Sequence, residues 1–351
     1  MGPELVTVAA GGLRYSAFEH VAVAAGANEA ARSFSLAIAA AAGPSATAWV
    51  FACGTEVSIY AGGDLLVTGY VDRYQPKLHE HNEAIIHVSG RGKGQDAIDS
   101  SAVHETGYFE NQNVLQIAQA LDKFGIGFKS DQALEPIPHY QITPGETVFR
   151  CIEKLCRQQG LVLTGQADGS INITRLSQAR NSPLLEGYNC KGLEADHNWA
   201  GRHSHVIARG QAARGNGAQN TQIEQTATDD AVGRYRPSVV VIDEDTDATR
   251  AQNRAEWRLA REAGHALKAH IEVQGFHDEG GQLWAPGNLT YVDSPFLDVQ
   301  QDMAIERVEF SQSRQQGSIA HLSLCDPQAL GGKGGSAGKS GKAWSSKFKS
   351  E

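Results

Sequence analysis

The feature that most constrains this chain lies near its end, where short alternating strands are separated by turns too tight for helix. In residues 282–292 the large apolar Trp284 precedes a Pro286-Gly287 turn, which leads into the alternating run Leu289-Thr290-Tyr291-Val292. Two more strand-like runs follow at 304–310 and 319–324, with a turn at 314–317 between them. The segment ends on Ser323-Leu324-Cys325-Asp326-Pro327-Gln328-Ala329-Leu330. Three such strands in succession predict a β-meander, expected to close a small barrel.

The same grammar opens the chain. Runs at 6–9, 18–24, 34–39, 57–60, 66–74 and 84–90 alternate, and Gly62-Gly63-Asp64 supplies hairpin turn chemistry. Residues 1–100 are therefore expected to form a first small β-barrel or sandwich. The period then changes. Asn113 can cap a helix carrying Val114, Ile117, Ala118 and Leu121, and a second helix presents Val148, Ile152 and Leu155 before Gly160. With a hairpin turning at Ala167-Asp168-Gly169, residues 101–182 are expected to be an α+β domain. Residues 183–326 return to strands and predict a second barrel, split by an insertion at about 211–264. Residues 211–238 are polar and predict an exposed loop. Asp247 predicts the start of a helix ended by Gly264. The Lys/Gly/Ser-rich residues 327–351 predict a flexible tail. The fold class expected is thus mainly β, with an α+β middle domain and two small barrels.

Charge bounds the partners. The tail holds Lys333, Lys339, Lys342, Lys347 and Lys349 against Glu351 alone; taking these from 31 basic and 40 acidic residues leaves 26 and 39, a body near −13. Such a body repels phosphate, which argues against tight nucleic-acid binding. Cys53, Cys151, Cys156, Cys190 and Cys325 form no C-x-x-C pair and read as reduced thiols. No secretion leader is expected, because the first residues lack a basic start and a continuous apolar run. The alanine-rich run 21–52 is interrupted by Asn28, Glu29, Arg32 and Pro44, so no stable membrane insertion is expected.

No constellation makes a convincing chemical site. Gly334-Gly335-Ser336-Ala337-Gly338 has the letters of a nucleophile elbow, but linker flanks it on both sides. Gly338-Lys339-Ser340 lacks the phosphate-loop glycine five positions earlier, where Lys333 stands. Gly90-Arg91-Gly92-Lys93-Gly94 misses the dinucleotide spacing and reads as a turn. Asp243, Asp245 and Asp247 imitate a calcium loop, but Ala248 and Arg254 occupy positions that need glycine and glutamate. They suit the start of a helix instead. His79 with His81, His203 with His205, and His265 with His270 lack a third ligand or the helical spacing of a zinc site. No catalytic residue, cofactor or metal is therefore assigned. One stripe stands out: Arg250, Arg254, Arg258 and Arg261 recur along the inserted helix, a candidate interface for an acidic partner or neighbouring subunit. The bland alternative is a solvated face neutralised by Glu256 and Glu262, with Trp257 as the helix's core anchor.

Taken in order, several of these runs resemble the Mu-like tail hub family of phage baseplates, the hubs of contractile tails. At the front the resemblance rests on Phe34-Ser35-Leu36, Gly69-Tyr70-Val71-Asp72 and Val88-Ser89-Gly90-Arg91-Gly92. In the middle it rests on Gly145-Glu146-Thr147-Val148 and Arg157-Gln158-Gln159-Gly160-Leu161-Val162-Leu163. At the end it rests on the helix at 254–264 and on Leu283-Trp284-Ala285-Pro286-Gly287 through Asp326-Pro327. The resemblance implies a non-enzymatic, homotrimeric, pseudo-sixfold ring in the virion, made in the host cytoplasm. Its implied partners are a tail spike, tail tube or tube-initiator proteins and other baseplate proteins, with DNA passing through without specific binding. The Lys/Gly/Ser tail departs from the family and is expected to order against a spike or tube neighbour. The alternatives weighed are a tail-associated cell-wall hydrolase and a host-glycan-binding tail module.

Overall fold

The first seven strands are β1 (Val6–Ala10), β2 (Leu13–Tyr15), β3 (His20–Gly26), β4 (Ser33–Ala41), β5 (Glu56–Ala61), β6 (Asp64–Leu78) and β7 (Glu83–Gly92); burial alternates along β1 and β5, whereas β3 is buried from Val21 to Gly26. The structure is a computed structural model that describes residues 4–41, 51–78, 83–175, 177, 179–212, 222–242 and 246–331. His79, His81, Asp243, Asp245 and the glycine-lysine motifs of the tail lie outside the described residues.

The middle of the chain comprises α1 (Gln95–Asp99), β8 (Tyr108–Asn113), α2 (Val114–Leu121), β9 (Phe128–Lys129), β10 (Pro136–Gln141), α3 (Val148–Gln158), β11 (Val162–Gly165) and β12 (Ile171–Thr174). Asn113 starts α2 as expected. Its side chain accepts from the Gln116 N–H while the Gln116 side chain accepts from the Asn113 N–H, a capping box that satisfies two end groups. Thr147 caps α3 by accepting from the Arg150 N–H. The predicted apolar stripes meet: Val114, Ile117 and Leu121 pack in one buried cluster with Val148, Ile152 and Leu155.

The rest contains β13 (Leu184–Leu185), β14 (Cys190–His197), β15 (His205–Gly210), β16 (Ile223–Thr228), β17 (Pro237–Val241), α4 (Ala248–Gly264), β18 (Leu267–Gln274), β19 (Leu289–Ser294), β20 (Val299–Ser313) and β21 (Gly317–Cys325). A short 3-10 helix, Pro327–Leu330, packs against the end of α4, where a Cβ on Gly264 would lie 2.2 Å from the Ala329 nitrogen. Trp284 is buried as anticipated, and Gly287 takes φ 87° to turn the chain into β19.

The two closed barrels do not form. Among the described residues, thirteen strands join in one open sheet ordered β14-β18-β21-β20-β3-β4-β7-β6-β5-β1-β2, with β19 beside β20 and β13 beside β19. The reason lies in the length of β20. β19 covers only its first part, Val299–Ala304, leaving the stretch after Arg307 with a free edge and inward Val308 and Phe310 to cover. β3 takes that edge, with Arg307 opposite Gly26 through to Ser313 opposite His20. An edge expected to close one barrel therefore fuses the two halves, and a single buried cluster spans both, from Val6 to Leu324. The Gln312 side chain also reaches Glu4 and Val6 on the far side, but that is a side-chain bridge and not a strand pair.

The fused halves repeat one plan. β3-β4-β5-β6-β7 and β14-β18-β19-β20-β21 follow the same order. In each, a 15-residue strand pairs first with its predecessor and then with its successor. The register shifts at Val71/Arg73 in β6 and at Ile305/Arg307 in β20, so Asp72 and Glu306 are the extra bulge residues. In the first repeat Gly69 and Gly90 let β6 and β7 approach closely: a Cβ on either would lie 2.0 Å from a carbonyl oxygen. The Gly90–Gly94 run is thus explained by packing.

One turn locks the parts together. Between β3 and β4, Ala27 donates its N–H to Glu306, Thr164 donates to the Ala27 carbonyl, and Glu29 pairs with Arg307. Arg32 donates to the carbonyls of Gly165 at 3.0 Å and Leu66 at 2.6 Å, and burial pulls its pKa down to about 10. A guanidinium with both neighbours fixed in this way is a pin between the middle region and the sheet.

The segment expected to be a long loop is partly sheet. β15 pairs antiparallel with β16 and parallel with β17, and α4 covers one face through Ala251 and Ala255 packed on Val206, Ala208, Ile223 and Ala227. Its composition is polar because both outer strands are edges with one face in water.

Candidate assembly interface

The sheet leaves edges and charged side chains unsatisfied at its surface, and these are where it can meet a partner. Two edges of the repeat are open among the described residues. β5 covers β6 only as far as Tyr70, leaving 72–78 unpaired on that side. At the β14 end of the path, β14 pairs with β18 alone.

The two edges differ in charge. Beside the β6 edge, the outer face of β3, β4, β7 and β6 forms a shallow concavity of about 390 Å³. His20, Arg73, Lys77 and His87 line it together with Ser35, Ser89 and Gln75, and no acid takes part. The β14 edge instead exposes Glu194 and Asp196.

The predicted arginine stripe lies next to β14. Asp247 caps α4 by accepting from the Arg250 N–H, and its carboxylate stands 3.7 Å from the Arg250 guanidinium. Arg254 and Arg261 sit on either side of Trp257, 5.1 and 5.2 Å from its ring centre. Trp257 itself packs near Gly160 at the end of α3. Arg258 pairs with Glu262 at 2.7 Å, and Glu262 also holds His203. Two of the four arginines are therefore occupied with the tryptophan, and Arg250 and Arg258 are the more exposed pair. A cleft of about 420 Å³ separates α4 from the end of β14, lined by Asp196, Asn198, Arg258, Arg261, His265 and Lys268. Burial lowers the pKa of both Arg261 and His265, with Glu306 opposing in each case.

Other candidate groups separate. His203 bonds Glu262, His205 bonds Ser204 and His270 bonds Ser323. Among the described residues no group of three histidine, cysteine, aspartate or glutamate side chains is arranged to hold a metal ion. Cys151, Cys156 and Cys325 are buried thiols, and burial pushes the pKa of Cys190 up to about 11.

Sequence reasoning missed the two edges. A signal was present in Val71-Asp72-Arg73 and Ile305-Glu306-Arg307, where an apolar residue, an acid and an arginine recur at the same place in each repeat.

The chain thus carries a duplicated antiparallel sheet unit with two open edges among the described residues. Known proteins share this plan. Residues 5–92 match the family described as Mu phage baseplate assembly protein GpP-like, N-terminal; residues 94–175 match baseplate hub protein gp44-like, second domain; and residues 247–332 match Mu phage baseplate assembly protein GpP, fourth domain. Baseplate hub protein gp44 of Escherichia phage Mu is 27% identical over 333 residues, covering 91% of this chain and 87% of that protein. The 43 kDa tail protein of prophage MuSo2 from Shewanella oneidensis has a similar structure, with TM-score 0.84 and 29% identity, covering 93% of this chain and 99% of that one. A tail protein from Neisseria meningitidis MC58, at TM-score 0.81 and 19% identity over 93% and 98% of the two chains, shares the fold.

The chain belongs to the Mu-type baseplate hub family. It is a structural protein of the phage tail baseplate, made in the host cytoplasm and carried in the virion.

Proposed function

We propose that three copies of this chain close into a ring that adapts a sixfold tail tube to a threefold spike, with DNA passing through its axis without specific binding. The observation that carries the reading is the five-strand repeat. One chain presents two like sheet units already joined by β20 and β3, so three chains present six. Head-to-tail contacts between identical chains make closed rings when their rotation closes. Tube, spike and other baseplate proteins are the neighbours that a hub of this family would hold. The acidic body suits a wall past which phosphate slides.

In this reading residues 1–100 and 183–326 supply the two units and 101–182 buttress them. Of the expected tail 327–351, Pro327–Leu330 instead pack against α4, and the lysine-rich residues beyond them are the part that would meet spike or tube. Arg250, Arg254, Arg258 and Arg261 form a surface for an acidic neighbour, led by the exposed Arg258 and the half-buried Arg250. Light scattering on the purified chain tests the ring. The expected mass is three times 37.6 kDa, and a strict monomer at high concentration would overturn it.

A further inference from the structure

The repeat does more than count units, because it also predicts how copies join. Within each repeat the strands align through cross-strand neighbours. In the first they run Arg73, Ser89, Ser35, Ala22, and in the second Arg307, Ser323, His270, Glu194. Ala22 on β3 and Glu194 on β14 therefore occupy equivalent places, as do Ala24 and Asp196. On the long strands, Ser311 and Glu309 of β20 correspond to Lys77 and Gln75 of β6, counted from the arginine after each bulge. Inside the chain, Ser311 faces Ala22 and Glu309 faces Ala24 across the β20–β3 junction.

We infer that the open stretch of β6 pairs antiparallel with β14 of a second copy, in the register that β20 and β3 already use within one chain. This inference rests on the ring reading above and deepens it by naming the contact. The transferred register sets Lys77 opposite Glu194 of the next copy and Gln75 opposite Asp196, with Arg73 and Lys77 both diagonal to Asp196. Directly opposed residues in an antiparallel pair hold their Cβ atoms roughly 4.5–5.5 Å apart, close enough for ion pairing. Charge complementarity identifies the occupant as another copy of this chain. The concavity beside β6 holds Arg73 and Lys77 with no acid, while β14 offers two exposed acids at the matching positions. Pro76 supplies no N–H, so the edge is poorly suited to indiscriminate strand pairing and the side-chain charges select the partner.

The test uses the full chain carrying Lys77→Cys together with Glu194→Cys. Mild oxidation is expected to produce disulfide-linked dimers and trimers. Either single variant, or Lys77→Cys with Ala195→Cys, which faces the opposite side of the strand, is expected to stay unlinked. In parallel, Lys77→Glu and Glu194→Lys should each weaken association by roughly tenfold, and the double exchange should restore it. A native trimer that neither cross-links at 77/194 nor responds to the charge changes would overturn this junction and leave the ring standing. A native chain that is monomeric at high concentration would overturn both.

Discussion

The β20–β3 junction and the open β6 and β14 edges occupy equivalent places in the repeat but are furnished differently. Where the chain closes the junction on itself, β3 brings Ala22, Ala24 and Gly26 against Ser311, Glu309 and Arg307. At the open edges the equivalent residues are Glu194 and Asp196 on β14 with Asn198 just beyond its end, and Lys77, Gln75 and Arg73 on β6. A covalently joined pair of strands needs no side-chain code, because the chain itself chooses the partner. An edge that must find another molecule needs such a code, and opposite charges supply it while penalising like edges. Covalent connection thus permits small residues at the inner seam, and assembly requires charge at the outer one.

Breaking the inner seam should have the largest effect. Phe310 is buried on β20 and meets Phe276 edge-on at 5.2 Å. Phe310→Ala is expected to cost about 3–5 kcal/mol of unfolding free energy. Because one cluster spans both halves, urea unfolding followed by fluorescence and by circular dichroism should shift together; two separated transitions would show that the halves are not fused. The next effect sharpens the role of the bulge. Gly69→Ala places a Cβ against the Arg91 carbonyl, and overpacking of this kind costs about 1–3 kcal/mol. Gly63→Ala in the neighbouring turn meets nothing within 4 Å and serves as the control.

A smaller, pH-dependent effect is expected where the start of the chain is tied to the second repeat. His277 lies between Glu4 at 2.6 Å and Asp64 at 2.7 Å, and Glu4 also accepts from the N–H groups of Phe276 and His277. Burial lowers the His277 pKa, but the hydrogen bonds to Glu4 and Asp64 outweigh it and leave the value raised above the ordinary 6.5. A raised folded pKa means the contact contributes fully below the unfolded value and is lost as pH rises through the folded one. The stability gap between the native chain and His277→Phe should therefore be widest below about pH 6.5 and narrow on the alkaline side. A gap that widens with rising pH would contradict this tie.

What the sequence disclosed was local. Asn113 and Asp247 could be read as helix caps because a cap is decided by a side chain and the next three residues. Trp284 and Gly287 were equally legible, since burial of a tryptophan and a turn before a strand are properties of a few neighbours. Strand partnership was not legible. Alternation in β20 announces a strand, but nothing in 299–313 says that its second half pairs with residues 20–26. β16 and the start of β17 read as loop because edge strands of a small sheet face water; on β17 it is Val239 and Val241 that point outward, reversing the usual sign of the pattern. The arginine stripe was visible as spacing. That Arg254 and Arg261 flank Trp257 was not, because the ring's position depends on Gly160 and the end of α3.

The smallest effect on the fold belongs to the outer edge, and it separates the two seams most cleanly. Lys77 is exposed, with no ion pair among the described residues, so Lys77→Glu should change the intrinsic stability of a subunit by no more than about 0.5 kcal/mol. Assembly adds stability by mass action, so the native Tm should climb with protein concentration. In Lys77→Glu that climb should flatten while the low-concentration limit stays in place. Phe310→Ala should do the reverse, lowering the Tm at every concentration. If Lys77→Glu lowered the low-concentration limit as well, the β6 edge would be part of the subunit's own fold, and the contrast between a seam closed by the chain and one closed by charge would fail.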